Sequence, residues 1–335
     1  MTIDNKQYLP SPSNTINGKL AEFKAWAAYR HWHKRLSKII QNKKLTILEC
    51  GCGPGFLSKL MKKWFTNVNL YVSDYEFALV ERAKEELSDE NTFNTFNAFQ
   101  ADAQKLPVQS EAIDILISFH MIEHLEIPKM FLQNAFRVLK PGGYLIYAAP
   151  NPGGIGAKIM KEKWGGIRPD HISVFSPQKW QEITLSVGFR LIEQGSTALS
   201  GIPIFQKFPL NIFNHGLLFI FGFFPWMKGE AYIGVYQKPI ASTICCTNSL
   251  MSEPFSSDQL KSEDSKVLSV ICCPETHQSL KLADDDLVNC LNQMITDKQL
   301  ISCNNKPIEY PIDAALIQAY GTAIYPIRKG IPILL

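Results

Sequence analysis

The sequence predicts an α/β fold in which a largely parallel sheet is covered by helices on both faces. Three observations carry this expectation. From residue 45 to residue 150, apolar runs of strand length alternate with helix-patterned stretches. Those runs are apolar at consecutive positions, as in strands buried on both sides. The first run also ends in clustered glycines that lead into a helix, which allows a sharp backbone turn.

Taken in order, residues 1–18 are polar and rich in Pro, Ser and Asn, and read as a loose tail. Residues 19–41 carry helix formers, with Phe23, Trp26 and Arg30 at helical spacing. Strand LTILEC (45–50) then precedes helix PGFLSKLMKKWF (54–65), and strand VNLYVSD (68–74) precedes helix YEFALVERAKEEL (75–87). A third strand ends at Ala101, IDILISF (113–119) is the fourth, PKMFLQNAFRVL (128–139) a helix and YLIYAAP (144–150) the fifth strand. SPQKWQEITLSVG (176–188) makes a helix, followed by strands FRLIEQG (189–195) and EAYIGVYQK (230–238). An apolar insertion, 199–229, separates those two strands. After Lys238 the chain turns Ser/Thr-rich and aperiodic over 239–265, as a linker does. A compact unit resumes over 266–335.

At 335 residues the chain suits two domains, the larger spanning 19–238. The net charge of +3 gives no support to a nucleic-acid partner. Residues 1–14 lack the charged start and apolar run of a secretory signal, so a cytoplasmic location is expected. In that compartment the eight cysteines stay reduced.

Parallel sheets bind ligands at the carboxyl ends of their strands, near the point where strand order reverses. There the first strand runs into Glu49-Cys50-Gly51-Cys52-Gly53-Pro54-Gly55. A dinucleotide fingerprint places its third glycine at the position of Phe56, one residue after Gly55. Asp74, followed by Tyr75, ends the second strand, where a carboxylate can accept ribose hydroxyls in either kind of cofactor. Further along come Asp102-Ala103-Gln104-Lys105-Leu106-Pro107, His120-Met121-Ile122-Glu123-His124-Leu125 and Leu139-Lys140-Pro141-Gly142-Gly143. A last segment runs from His171 through Phe175-Ser176-Pro177 to Gly188-Phe189.

Over about residues 40–195 this ordered set resembles class I S-adenosylmethionine-dependent methyltransferases, in the broad group that includes ubiquinone- and menaquinone-pathway enzymes. The resemblance implies a Rossmann-like sheet of seven strands, the last antiparallel, with S-adenosyl-L-methionine as cofactor. It implies cofactor contacts from Glu49, Gly51, Gly53, Gly55, Asp74, Tyr75, Asp102, Ala103 and His120, with Asp102 meeting the adenine amino group. No metal is expected.

Methyl transfer from a sulfonium is an in-line displacement driven by alignment and desolvation. A base is needed only for a phenol, a carbon acid or a protonated amine. His120, His124 and His171 are the candidate catalytic residues, and the competing role of the Glu123-His124 pair is to stabilise its turn. The Asn/Asp-Pro-Pro-aromatic turn of adenine-N6 and glutamine methyltransferases is replaced here by Ser118-Phe119-His120-Met121. The apolar stretch 202–227 reads as a cover on the sheet, a pocket wall for a lipophilic acceptor, or a peripheral membrane contact. The expected acceptor is a small or lipophilic molecule.

Residues 266–335 resemble small methyltransferase-activator proteins, through Leu268–Thr276 and the closing Tyr325-Pro326-Ile327-Arg328-Lys329-Gly330-Ile331-Pro332-Ile333-Leu334-Leu335. The zinc-binding members begin Cys-Pro-x-Cys, but Thr276 takes the second ligand position, so a metal-free α+β unit is expected. The resemblance implies docking of this unit on the larger domain within one chain. It also supplies two alternatives: an RNA or protein methyltransferase with its activator in cis, and a non-catalytic cofactor-binding module. Removing residues after Lys238 is expected to lower solubility or activity, while donor affinity changes little because the cofactor motifs lie upstream.

Overall fold

The computed structural model describes residues 33, 36–40, 44–65, 67–88, 96–197, 226–240, 268–300, 307–318 and 323–335. The expected tail, most of the first helix, most of the apolar insertion and the linker lie outside the described residues.

Five parallel strands form the centre of the sheet: β1 (Leu45–Cys50), β2 (Val68–Asp74), β3 (Phe96–Ala101), β4 (Ile113–Phe119) and β5 (Leu139–Pro150). Two further strands, β6 (Arg190–Ser196) and β7 (Ala231–Gln237), complete the methyltransferase-like half. Strand β7 lies antiparallel between β5 and β6, so the last of the seven runs against the rest, as the sequence predicts. Strand β1 lies between β2 and β4, and this is where the order reverses.

Helices α1 (Phe56–Trp64), α2 (Phe77–Leu87), α3 (Pro128–Val138), α4 (Ile155–Met160) and α5 (Pro177–Ser186) follow or link these strands. Their sequences explain their ends. Helix α1 buries Leu57, Ser58 and Met61 and carries Lys62 and Lys63 in its last turn, where cations favour the helix dipole. Helix α5 starts at Ser176, whose hydroxyl accepts from the Lys179 amide, with Pro177 in its first turn.

Alternation along the strands divides the core between the two faces of the sheet. From β5, Leu145, Tyr147 and Ala149 join one apolar cluster, while Ile146 and Ala148 join the other. The Leu139–Gly143 turn is taken up inside β5 itself. Gly142 has φ +80°, and the register with β4 shifts between Ile113 and Ile115.

The C-terminal segment differs from the expectation of a separate small domain. Its elements are β8 (Leu280–Leu282), α6 (Asp285–Thr296), β9 (Ala314–Gln318), β10 (Ile324–Arg328) and β11 (Ile331–Leu334). Strand β11 pairs in parallel with β3, through Ile333 opposite Gln100 and Leu334 opposite Ala101. Among the described residues the sheet therefore runs through eleven strands, in the order β6-β7-β5-β4-β1-β2-β3-β11-β10-β9-β8. The physical reason is the free edge of β3 together with the apolar closing strand. Leu334 joins one core cluster with Phe99, Leu106 and Val108, and Ile331 joins the other with Val80 and Ala83. Among the described residues, α6 and its neighbours Ala283, Ile312 and Ala315 form a cluster of their own.

Polar contacts tighten this junction. Lys84 donates to the carbonyls of Lys329 and Gly330 at 2.7 and 2.9 Å. Lys105 pairs with Glu275 at 2.8 Å. The Gln109 amide donates to Val270 O at 2.8 Å and the Cys272 amide to Pro107 O at 2.9 Å.

Leu334→Ala is expected to destabilise the chain by about 2–5 kcal/mol, the usual range for emptying a fully buried leucine site. In hydrogen exchange, the β3 amides should lose protection along with those of β11. Loss confined to β8–β11 would show that the two halves unfold independently.

Candidate active site

The carboxyl ends of β1, β2 and β4 meet at the reversal point, and the sequence places its glycines and acids there. Gly51, Gly53 and Gly55 all have left-handed φ values of +71°, +52° and +82°. The Gly51 and Cys52 amides donate to Ser73 O at 2.8 and 3.0 Å, which ties the loop to the end of β2. The three glycines serve different ends. A Cβ on Gly51 would meet Met121 at 2.5 Å, and one on Gly55 would meet Ala83 at 3.1 Å. One on Gly53 would meet no protein atom within 4 Å, so that stretch of backbone faces open space. Gly55 is the N-cap of α1 without any side-chain cap, leaving the first-turn amides available to an anion.

Asp74 sits beside this loop. Its Oδ2 accepts from the Gly53 amide at 2.9 Å and its Oδ1 from the Glu76 amide at 3.1 Å. Burial lifts its carboxyl above the ordinary value, against the opposing pull of those amides. Gln100 holds the next corner by donating from its amide nitrogen to Tyr75 O at 2.7 Å, and the Tyr75 side chain is exposed. Asp102 caps the short turn Ala103–Lys105 by accepting from the Gln104 amide at 2.8 Å. The segment after Asp102 is clamped from two sides. Arg137 of α3 donates to the carbonyls of Leu106 and Val108, and the C-terminal residues Val270 and Cys272 bond to Gln109 and Pro107.

On the opposite side of the crevice, β4 is followed by His120, held at φ +56° with its amide donating to Ala148 O at 3.0 Å. The segment around His171 is stitched to the Glu123–Leu125 turn. The Ser173 amide donates to Glu123 O at 2.8 Å, and the Ser173 hydroxyl donates to Leu125 O at 2.7 Å. As a result the His124 and His171 rings meet edge to face, with centroids 4.8 Å apart. Glu123 lies beneath them, 1% exposed, with its Oε1 3.4 Å from His120 Nδ1. One ligand atom from each of Glu123, His124 and His171 lies within 4.8 Å of the others, a spacing that can hold a metal ion. Glu123 and His124 are neighbours in the chain, and His171 is brought to them by the Ser173 contacts together with the approach of His124 Nδ1 to Asp170 O at 2.8 Å.

The structure therefore brings His124 and His171 together and leaves His120 on the exposed rim, half accessible to solvent. Asp114, also picked out by the sequence, belongs to the scaffold. It accepts from the Thr46 amide and from Lys140, each at 2.8 Å, at the opposite ends of the strands.

Glu49 does not project into the crevice as a free carboxylate. It is buried and accepts a short hydrogen bond from the Ser58 hydroxyl, a partner that nothing in the sequence marks. Burial pushes its carboxyl up to about 8, with the charge of Asp74 adding to the rise and the Ser58 bond opposing it. A carboxyl raised in the folded state keeps its proton between the unfolded value of 4.5 and about 8. Stability from this group is thus full below 4.5 and declines as pH rises to about 8. Melting temperatures at pH 5.5 and 8.5 test this: Glu49→Gln should narrow the difference between the two. An unaltered difference would place the pH dependence elsewhere.

A family model described as a methyltransferase domain matches residues 21–194, half of the chain. A malonyl-[acyl-carrier protein] O-methyltransferase of Paenibacillus sp. (strain JDR-2) is 25% identical over 154 residues, 44% of this chain and 55% of that protein. The mitochondrial ubiquinone biosynthesis O-methyltransferase of Candida albicans is 27% identical over 122 residues, 35% of this chain and 36% of that protein. The chain thus spans about half or less of these curated relatives. Among solved structures, a chain from the complex of the Haloferax volcanii Trm112 methyltransferase activator is 19% identical. It has a TM-score of 0.45 and covers 65% of this chain and 98% of that one. With a family match from residue 21 to residue 194 and the glycine loop, Asp74 and Asp102 ranged along one crevice, the chain belongs to the methyltransferase-domain family and carries a class I S-adenosylmethionine-dependent methyltransferase domain.

Proposed function

We propose that the chain transfers the methyl group of S-adenosyl-L-methionine to an oxygen atom of a small or lipophilic acceptor. The observation that carries the cofactor side is the open backbone at Gly53, where a Cβ would occupy space that no protein atom fills. The α1 amides suit the cofactor's carboxylate, Asp74 its ribose hydroxyls, and Asp102 with Ala103 its adenine. When bound there, S-adenosyl-L-methionine supplies an electrophilic methyl carbon on a sulfonium. The protein's task is to orient the acceptor and keep water from the reacting atoms.

The acceptor side belongs to His120, His124 and His171. The Nδ1 atoms of His124 and His171 each meet a backbone carbonyl, Asp170 O at 2.8 Å and Gly166 O at 2.9 Å. A carbonyl only accepts, so each Nδ1 donates there, and Nε2 is the ring nitrogen left to face an acceptor group. Two of the relatives named above are O-methyltransferases, which supports an oxygen acceptor. Exposed apolar side chains at Ile159, Ile167, Ile172 and Trp226 favour a lipophilic one. Residues 202–225, read as a pocket wall or membrane contact, lie outside the described residues. No helix among the described residues is long and apolar enough to cross a membrane.

The C-terminal unit acts on the methyltransferase half as an intramolecular partner by completing the sheet beside β3. That role revises the expectation for truncation. A chain ending at Lys238 loses the bonds of Val270 and Cys272 to the segment that follows Asp102. It should bind S-adenosyl-L-methionine at least about tenfold more weakly, the equivalent of one charge-assisted hydrogen bond. Asp74→Ala should show a loss of about 1.5–3 kcal/mol in calorimetry with the full chain. Tight binding of NADH in place of S-adenosyl-L-methionine would overturn the reading. Retention of full donor affinity after truncation would remove the C-terminal unit from the cofactor pocket.

A further inference from the structure

We propose that Glu123, His124 and His171 form a site for a divalent transition-metal cation on the acceptor side of the crevice. Three observations converge on it. One donor atom of each residue lies within 4.8 Å of the others. In both imidazoles one nitrogen is held by a backbone carbonyl, as in many metal-bound histidines: His124 Nδ1 faces Asp170 O at 2.8 Å and His171 Nδ1 faces Gly166 O at 2.9 Å. With Nδ1 of each ring turned to a carbonyl, Nε2 is the nitrogen that would coordinate. Independently, Glu123 is 1% exposed, and among the described residues neither of its carboxylate oxygens accepts a hydrogen bond. A buried carboxylate in that state is costly unless a cation compensates it. Among the described residues, the basic group beside it is His120 Nδ1, 3.4 Å away on an exposed side chain.

The donor set selects the ion. Two imidazoles and one carboxylate suit Zn²⁺, Co²⁺, Fe²⁺ or Mn²⁺, whereas Mg²⁺ and Ca²⁺ favour oxygen ligands alone. Bonds of about 2.0–2.2 Å require the three donors to draw together by roughly 1 Å. Rotation of the two partly exposed imidazoles can supply that movement. Three protein ligands leave at least one position open, as in catalytic sites.

The role of the site rests on the reading of an oxygen acceptor. The open position takes the acceptor's hydroxyl oxygen and lowers its pKa, so that its proton passes to solvent. The oxygen lone pair then forms the new O–CH₃ bond while the S–CH₃ bond breaks with its electron pair remaining on sulfur. The balance is one hydroxyl compound and one sulfonium giving one methyl ether or ester, one thioether and one proton.

The test uses the full-length chain, freed of metal with a chelator and titrated with MnCl₂ by electron paramagnetic resonance and with CoCl₂ by visible absorption. One cation per chain is expected, with a Co²⁺ spectrum free of thiolate charge-transfer bands. Glu123→Gln and His171→Ala should each weaken uptake at least tenfold, and Cys272→Ser with Cys273→Ser should leave it unchanged. His124→Gln gives a further arm on a side chain whose loss opens no core cavity. Uptake that is unchanged in Glu123→Gln and His171→Ala, or that disappears in the cysteine variants, overturns the proposal. S-adenosyl-L-methionine calorimetry on the same samples separates the two readings. Intact donor binding without cation uptake removes the metal site alone. Cation uptake without donor binding removes the methyl-donor reading and leaves the site standing.

Discussion

Parallel pairing of β1 with β2 on one side and β4 on the other governs most of what surrounds the crevice. Because the three strands point the same way, their carboxyl ends arrive at one level, and each must leave the sheet there. The glycine loop leaves from β1, Asp74 from β2 and His120 from β4, so three segments distant in sequence share one edge. Reversal of strand order at β1 sends the following helices to opposite faces and keeps the gap between them unfilled. The local devices then follow. Left-handed glycines let the loop turn back to Ser73 O, and Asp74 holds that loop by accepting from Gly53.

Much of this arrangement was legible in the sequence because it rests on period and punctuation. Consecutive apolar runs such as Ile115–Ile117 mark doubly buried strands, and Ser176-Pro177 marks a helix start by its capping chemistry. The glycine loop and Asp74 were legible for the same reason, since each lies where a strand must end. Two parts were not. The Ser58 hydroxyl that meets Glu49 carries no marker of its own, and burial of the acid followed from packing rather than from spacing. The meeting of Glu123, His124 and His171 rests on the two hydrogen bonds of Ser173 and on the contact of His124 with Asp170, which bring distant segments together. Sequence reasoning can name such histidines, but it has no period from which to place them.

The C-terminal segment shows how the two kinds of information diverge. Its composition break after Lys238 signalled a second unit; the segment has a helix and a small apolar cluster of its own, yet its strands continue the main sheet. What composition could not express was the pairing partner. An unpaired edge strand on a parallel sheet is an open row of donors and acceptors, and β11 supplies the complement while burying Leu334 and Ile331 on opposite faces. The same contact reaches the cofactor side of the crevice, because β3 runs directly into Asp102. The boundary between the units is therefore a line of backbone hydrogen bonds, not a surface of side chains alone.

The pairing of Leu334 with Ala101 also imposes an order in time. Synthesis delivers β3 first and its neighbour β11 roughly 230 residues later. At ribosomal rates of about 5–20 residues per second, the nascent chain carries a bare β-edge for on the order of 10 s or more. During that interval the edge is open to the β-edge of another nascent chain on the same polysome, or to a chaperone. Slower translation of the C-terminal third would lengthen the exposure, so codon usage there bears on the yield of folded protein as directly as the amino acids do.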